Sequence, residues 1–172
     1  MLHGWNASIC WFLTGAAAVI LLSAALHDLL ARTVPNWMPI TLVAIGLAES
    51  MLAGRLIVSL LTGTLVFIVS GLWWKRGWLG GGDVKLLGAA SIVVPPIAVA
   101  PFIIAIAIAG GALSLVYLAG GKLIPATTPH RSAVRPVGLL ARAVRLERWR
   151  LSRRGPLPYA VAIAAGGLFV LL

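Results

Sequence analysis

The sequence predicts an all-α, polytopic helical bundle embedded in a membrane, with about six transmembrane helices. Three observations predict it. Hydrophobic residues fill 60% of the 172 positions and charged ones only 10%, with a mean hydropathy of +1.02, too apolar for a soluble domain. The apolar residues form runs of spanning length, and the charges gather between them. Nothing outside the runs is long enough for a separate core, so residues 1–172 read as one membrane-embedded domain with a basic loop at about 120–156.

The first run, from about Cys10 to Leu26, lacks the positively charged leader of a secretory signal and reads as a retained transmembrane helix, which keeps Asp28 in the chain. Pro35 disfavours continuation of that helix and Asn36 is a ready N-cap, so a second helix is expected from there to about Glu49. A third runs from about Leu56 to Trp74 and ends in Trp73, Trp74, Lys75 and Arg76, the aromatic and basic anchors of a membrane interface. From Val84 to Leu118 the only charge is Lys85, and Pro95, Pro96 and Pro101 divide the stretch into two helices joined by a tight turn. The last run, Leu157 to Leu172, is short for a span.

Charge sets the orientation. Of the fourteen basic residues, all but Arg55 fall in alternate loops, on the side that the positive-inside rule assigns to the cytoplasm. Both termini are then expected outside. A net charge of +10 in a soluble chain would suggest nucleic acid, but here it is a topology signal and no nucleic-acid partner is expected. The stretch Arg131 to Arg154 holds eight arginines opposed only by Glu147, and is expected to lie against anionic lipid headgroups. Cys10 is the sole cysteine, which excludes an internal disulfide, a CxxC pair and a cysteine-built zinc site. His3, His27 and His130 form no HExxH pattern, so no metal site is read from the sequence.

Chemistry points to the acids, of which there are four. Ionisable residues at or within membrane spans are rare and mark functional sites. Asp28 ends the first helix and Asp83 begins the fourth, so the topology brings both to one membrane face. Two adjacent carboxylates cannot both ionise easily; they share a proton, and one can activate a water while the other polarises a scissile carbonyl. Gly80, Gly81 and Gly82 before Asp83 leave room for a substrate backbone. Taken singly, Asp83 also reads as an N-cap and Asp28 as a partner of Arg32 one turn on. Helix polarity predicts Asp83, at a helix start near Lys85, as the more often ionised of the two and Asp28, at a helix end, as the more often protonated. Glu49 and Arg55 read as outer helix ends where water is available, and Gly110, Gly111, Gly166 and Gly167 as close-packing positions.

These residues resemble those of a known family. Gly80-x-Gly82-Asp83 matches the GxGD motif of membrane aspartyl proteases, Asp28-x-x-x-Arg32-x-x-Pro35-Asn36 resembles the first-aspartate segment of bacterial prepilin peptidases, and the run from Leu157-Pro158-Tyr159 to Ala164 resembles the family's final helix. The resemblance implies a membrane aspartic endopeptidase that cleaves the leader of prepilins or pseudopilins at the cytoplasmic face, after a glycine just before the pilin's hydrophobic helix. It implies catalytic roles for Asp28 and Asp83 and no cofactor. Gly80, Gly81, Gly82, Lys85, Arg32, Pro35 and Asn36 would shape the substrate approach, and pilus assembly machinery would be a partner. Longer members add an N-terminal region with paired cysteines and methylate the new N-terminus. This chain looks like the short Flp, tight-adherence branch, for which no methyltransferase activity is expected. The rival readings are a noncatalytic membrane subunit of a secretion or transport system, and another GxGD protease.

Overall fold

The computed structural model describes residues 2–123 and 157–172, with side chains at 8–119 and 157–172. Residues 124–156, most of the expected basic loop and with it the expected headgroup contact, lie outside the described residues. Those described form six α-helices and one 3-10 turn: α1 Leu2–Ala31, α2 Trp37–Leu52, α3 Leu56–Lys75, α4 Gly81–Val93, the turn Pro96–Ala98, α5 Val99–Leu123 and α6 Tyr159–Leu171. An all-helical membrane bundle is thus what the chain forms. Among the described residues, three segments are long and apolar enough to cross a membrane, Ser8–Ala31, Leu56–Lys75 and Pro96–Ala119, while α2 and α6 are shorter apolar helices.

Local sequence sets most boundaries. Pro35 separates α1 from α2, the Pro95-Pro96 pair ends α4 because neither residue offers an N–H to continue it, and Pro101 falls in the first turn of α5, where its missing donor costs nothing. Two expectations need correction. α1 begins at Leu2 rather than near Cys10, because Asn6, Ser8 and Gly4 do not break a helix that apolar neighbours continue. Asn36 precedes α2 but makes no side-chain cap bond, because its Oδ1 accepts a hydrogen bond from Lys85 Nζ at 2.9 Å instead.

The short helix α4 is the centre of the bundle. At ~1.5 Å per residue its thirteen residues reach only ~20 Å, less than a bilayer core of ~30 Å. It is buried on all sides from Leu86 to Val93, as expected of a helix that is apolar all round. α2 and α3 pack on one side of it and α6 touches it on another; α1 packs on α2 and α6, and α5 on α6. Glycines set the crossing distances. A Cβ at Gly46 of α2 would lie 2.9 Å from Val93 N, and one at Gly88 of α4 would lie 2.9 Å from Phe67 Cβ of α3. Gly166 and Gly167 behave as expected for close packing, since Cβ atoms there would collide with Ile106 Cγ1 and Leu21 Cδ1 at 2.6 and 2.7 Å. Gly111 does not: nothing lies within 4 Å of its Cβ position, and Gly110 meets only Ala162 Cβ at 3.7 Å.

Candidate active site

Asp28 and Asp83 reach the same end of the bundle from opposite chain directions. Asp28 sits in the last turn of α1 and is 7% exposed. Asp83 is in the first turn of α4, whose N-cap is Gly80 in extended conformation. Asp83 is therefore not the cap residue: three positions further on, its carboxylate turns back and accepts a hydrogen bond from the Gly80 N–H, which satisfies one of the unpaired donors of a helix start.

Each glycine before Asp83 has a distinct neighbour. A Cβ at Gly80 would lie 2.7 Å from Asp83 Oδ2, so any side chain there displaces the carboxylate. At Gly81 it would lie 3.4 Å from the Trp74 indole nitrogen, and at Gly82 3.2 Å from Val34 Cβ. Gly82 thus lets the start of α4 close onto the connection that follows Asp28. That contact, not sequence proximity, is what brings the two acids together.

The α1–α2 connection is held from several directions. Arg32 adopts a left-handed conformation, φ 56°, and its N–H donates to the Asp28 carbonyl at 2.9 Å, which closes the end of α1. A non-glycine residue costs roughly 1 kcal/mol there. Its guanidinium donates to Tyr117 Oη at 2.9 Å and lies over that ring, tying the connection to α5. His27 Nδ1 and the Thr33 carbonyl are 2.6 Å apart, the ring N–H donating. The carbonyl of Pro35 accepts from Met38 N–H at 3.1 Å, and the Lys85–Asn36 bond fastens α4 to the start of α2. Arg32 thus acts directly on Asp83 through its charge, whereas Lys85, Pro35 and Asn36 brace the connection that follows Asp28. Tyr117, Trp74 and His27 are not legible as site neighbours, since no motif or spacing marks them as such.

Electrostatics at Asp83 oppose the effect expected from helix polarity. Burial, then the charge of Asp28, push the Asp83 carboxyl up to about 6 from 3.8, against the Gly80 N–H and the Arg32 charge that favour the ionised form. The helix N-terminus is outweighed because two acids share a half-desolvated corner. Proton sharing is the consequence: between pH 3.8 and about 6 Asp83 holds a proton that an isolated aspartate would have lost. Among the described residues no group of three or more His, Cys, Asp or Glu is placed to hold a metal ion.

Comparison with known proteins decides the family. The family model described as the type IV leader peptidase family matches residues 15–115. The chain belongs to the type IV leader peptidase family. The match runs from the middle of α1 into α5 and contains both aspartates, the three glycines and the connection around Arg32. No curated protein and no solved structure matches the chain. Membership of this leader peptidase family makes the protein a membrane peptidase in general, with prepilins as the substrates the family implies.

Proposed function

We propose that this protein is an aspartic endopeptidase that removes leaders from prepilins of the Flp, tight-adherence type, with Asp28 and Asp83 as its catalytic pair. The supporting observation is the raised Asp83 carboxyl facing a second buried carboxylate at one end of the bundle. In the proposed reaction the ionised member takes a proton from a water, whose oxygen attacks the carbonyl of the scissile peptide. The protonated member donates a hydrogen bond to that carbonyl oxygen as charge develops on it. The tetrahedral intermediate then collapses with loss of the amine, which takes a proton from the pair. Gly80 keeps the space beside Asp83 Oδ2 clear.

The reading places this end of the bundle at the cytoplasmic face of a bacterial inner membrane, so that the polar leader stays in water while the pilin helix stays in lipid. Co-expression with candidate prepilins tests it. Wild type is expected to process them, and Asp28→Asn and Asp83→Asn, inserted at normal levels, are expected to leave them uncut. Continued cleavage by either variant defeats the two-aspartate mechanism. A soluble peptide covering only the leader and scissile bond is expected to be cut far more slowly than the membrane-inserted substrate.

A further inference from the structure

Two apolar grooves flank α4, and they differ in which face of that helix they use. One, about 510 Å³, lies between α2, α3 and α4, with Lys85, Ala89 and Ile92 on its α4 side. Lys85 is two positions after Asp83, on the far side of the helix from it. The other groove, about 540 Å³, has α3 and α5 as walls, with Leu87 of α4 and Ile163 of α6 as its floor. Leu87 is one turn after Asp83 and shares its face.

The second groove is a gap between spanning helices. α3 and α5 are both long enough to cross a membrane, yet among the described residues they form no packed interface with each other. The floor helices α4 and α6, thirteen residues each, are too short to span by length alone. On the α5 wall the lining positions run from Ile103 to Ser114, about 16 Å at 1.5 Å per residue, or some three turns of a helix laid alongside. Gly111 lines this groove, and its small size serves no contact within the fold, since a Cβ there meets nothing within 4 Å. Gly110 is nearly as unconstrained. Trp73 and Leu79 line the end toward the aspartates.

We infer that the groove between α3 and α5 is the docking site for the apolar helix of the substrate, seated so that the polar segment preceding that helix reaches Asp28 and Asp83. The inference rests on the proposed leader-peptidase function, which requires a substrate whose cleavage point borders an apolar helix. Continuity with Asp83 through Leu87 selects this groove over the one beside Lys85. The absence of Asp, Glu, Lys, Arg and His among its lining residues fits a helix apolar on all sides, and glycines at the wall allow that helix to approach the α5 backbone closely.

The test uses the full chain in lipid nanodiscs with a membrane-inserted prepilin. Gly111→Leu, whose side chain enters open space, is expected to raise KM about tenfold while kcat stays within about twofold, the signature of lost substrate binding. Val43→Trp, which fills the other groove, is expected to change neither. An unchanged KM in Gly111→Leu, or an equal rise in Val43→Trp, overturns the inference. A second measurement does not depend on tolerance of leucine: a photoreactive benzoyl-phenylalanine at position 111, in the uncleaving Asp83→Asn background, is expected to crosslink to the prepilin's apolar segment and to lose the adduct when unlabelled prepilin competes. Adducts only to lipid, or only to a second copy of the chain, overturn it. If wild type cleaves no prepilin while remaining inserted, the proposed function itself fails and the groove loses this occupant with it.

Discussion

The two ends of α4 handle charge in opposite ways. At its start Asp83 faces another carboxylate, and burial together with that like charge drives its pKa upward. At its far end the carbonyls of Val93 and Val94 accept hydrogen bonds from the Arg55 guanidinium, at 3.2 and 3.5 Å, and the same guanidinium holds Ser59 Oγ and pairs with Glu49 at 3.1 Å. Glu49 is 7% exposed, so the pair is not the water-facing helix-end feature that the sequence suggests; it is a partly buried clasp joining α2, α3 and the end of α4. Acids that stabilise the fold are matched with a cation and with orphan carbonyls. At the other end, the two acids proposed for chemistry act on each other, the Gly80 N–H and the Arg32 charge offset only part of the rise in Asp83, and the clasp fixes the opposite end of the helix that carries Asp83.

This contrast can be broken at either end. The largest expected effect is on catalysis: Asp28→Asn or Asp83→Asn should lower processing of an inserted prepilin by at least about a thousandfold, with insertion and thermal unfolding in detergent near wild type. A variant that unfolds instead would show that this end, too, is a structural clasp. At the far end, Arg55→Met leaves Glu49 buried without its cation and should destabilise the bundle by about 3 kcal/mol, whereas Glu49→Leu combined with Arg55→Met should recover most of the loss. Equilibrium unfolding in mixed micelles measures both; a double variant as unstable as the single one would mean that the carbonyl contacts, not the ion pair, carry the clasp.

Smaller changes sharpen the comparison. Gly80→Ala places a methyl 2.7 Å from Asp83 Oδ2 and should lower kcat/KM about tenfold, or about 1.4 kcal/mol of transition-state stabilisation, with little change in unfolding. Gly82→Ala presses on Val34 Cβ at 3.2 Å and should alter activity only through the spacing of the two aspartates. The smallest effect is in the pH dependence of stability. Because the folded pKa of Asp83 is raised from 3.8 to about 6, its contribution is fully present below pH 3.8 and is lost as pH rises through about 6, where the folded state must give up a proton it binds more tightly than the unfolded chain does. Asp83→Asn should therefore flatten the stability profile between those values. Asp28→Asn should move the Asp83 titration, followed by its infrared carboxyl band, downward; an unmoved band would mean that burial alone raises Asp83.

Much of this was legible before any coordinates. The apolar runs and prolines marked the helices because membrane helices depend on length, hydropathy and breakers, all of which are local. The two aspartates stood out because acids are scarce in such a chain, and alternate helix directions put the end of one helix and the start of another at one face. Less legible were the roles of Asn36, Glu49, Arg55 and Gly111, each of which depends on a neighbour from another helix. Asn36 would cap α2 by local rules but is taken by Lys85, and Gly111 resembles a packing glycine but faces a gap.

The sequence by itself determined the helical membrane bundle, the ends of its elements and the pair of acids, because each follows from composition and from which residues a helix or a bilayer tolerates. Only the tertiary structure decided that Gly82 closes against Val34, that Asp83 is raised rather than lowered, and that α3 and α5 stand apart. These outcomes depend on the desolvation and spacing produced when distant segments pack, and no residue carries that information in its own neighbourhood.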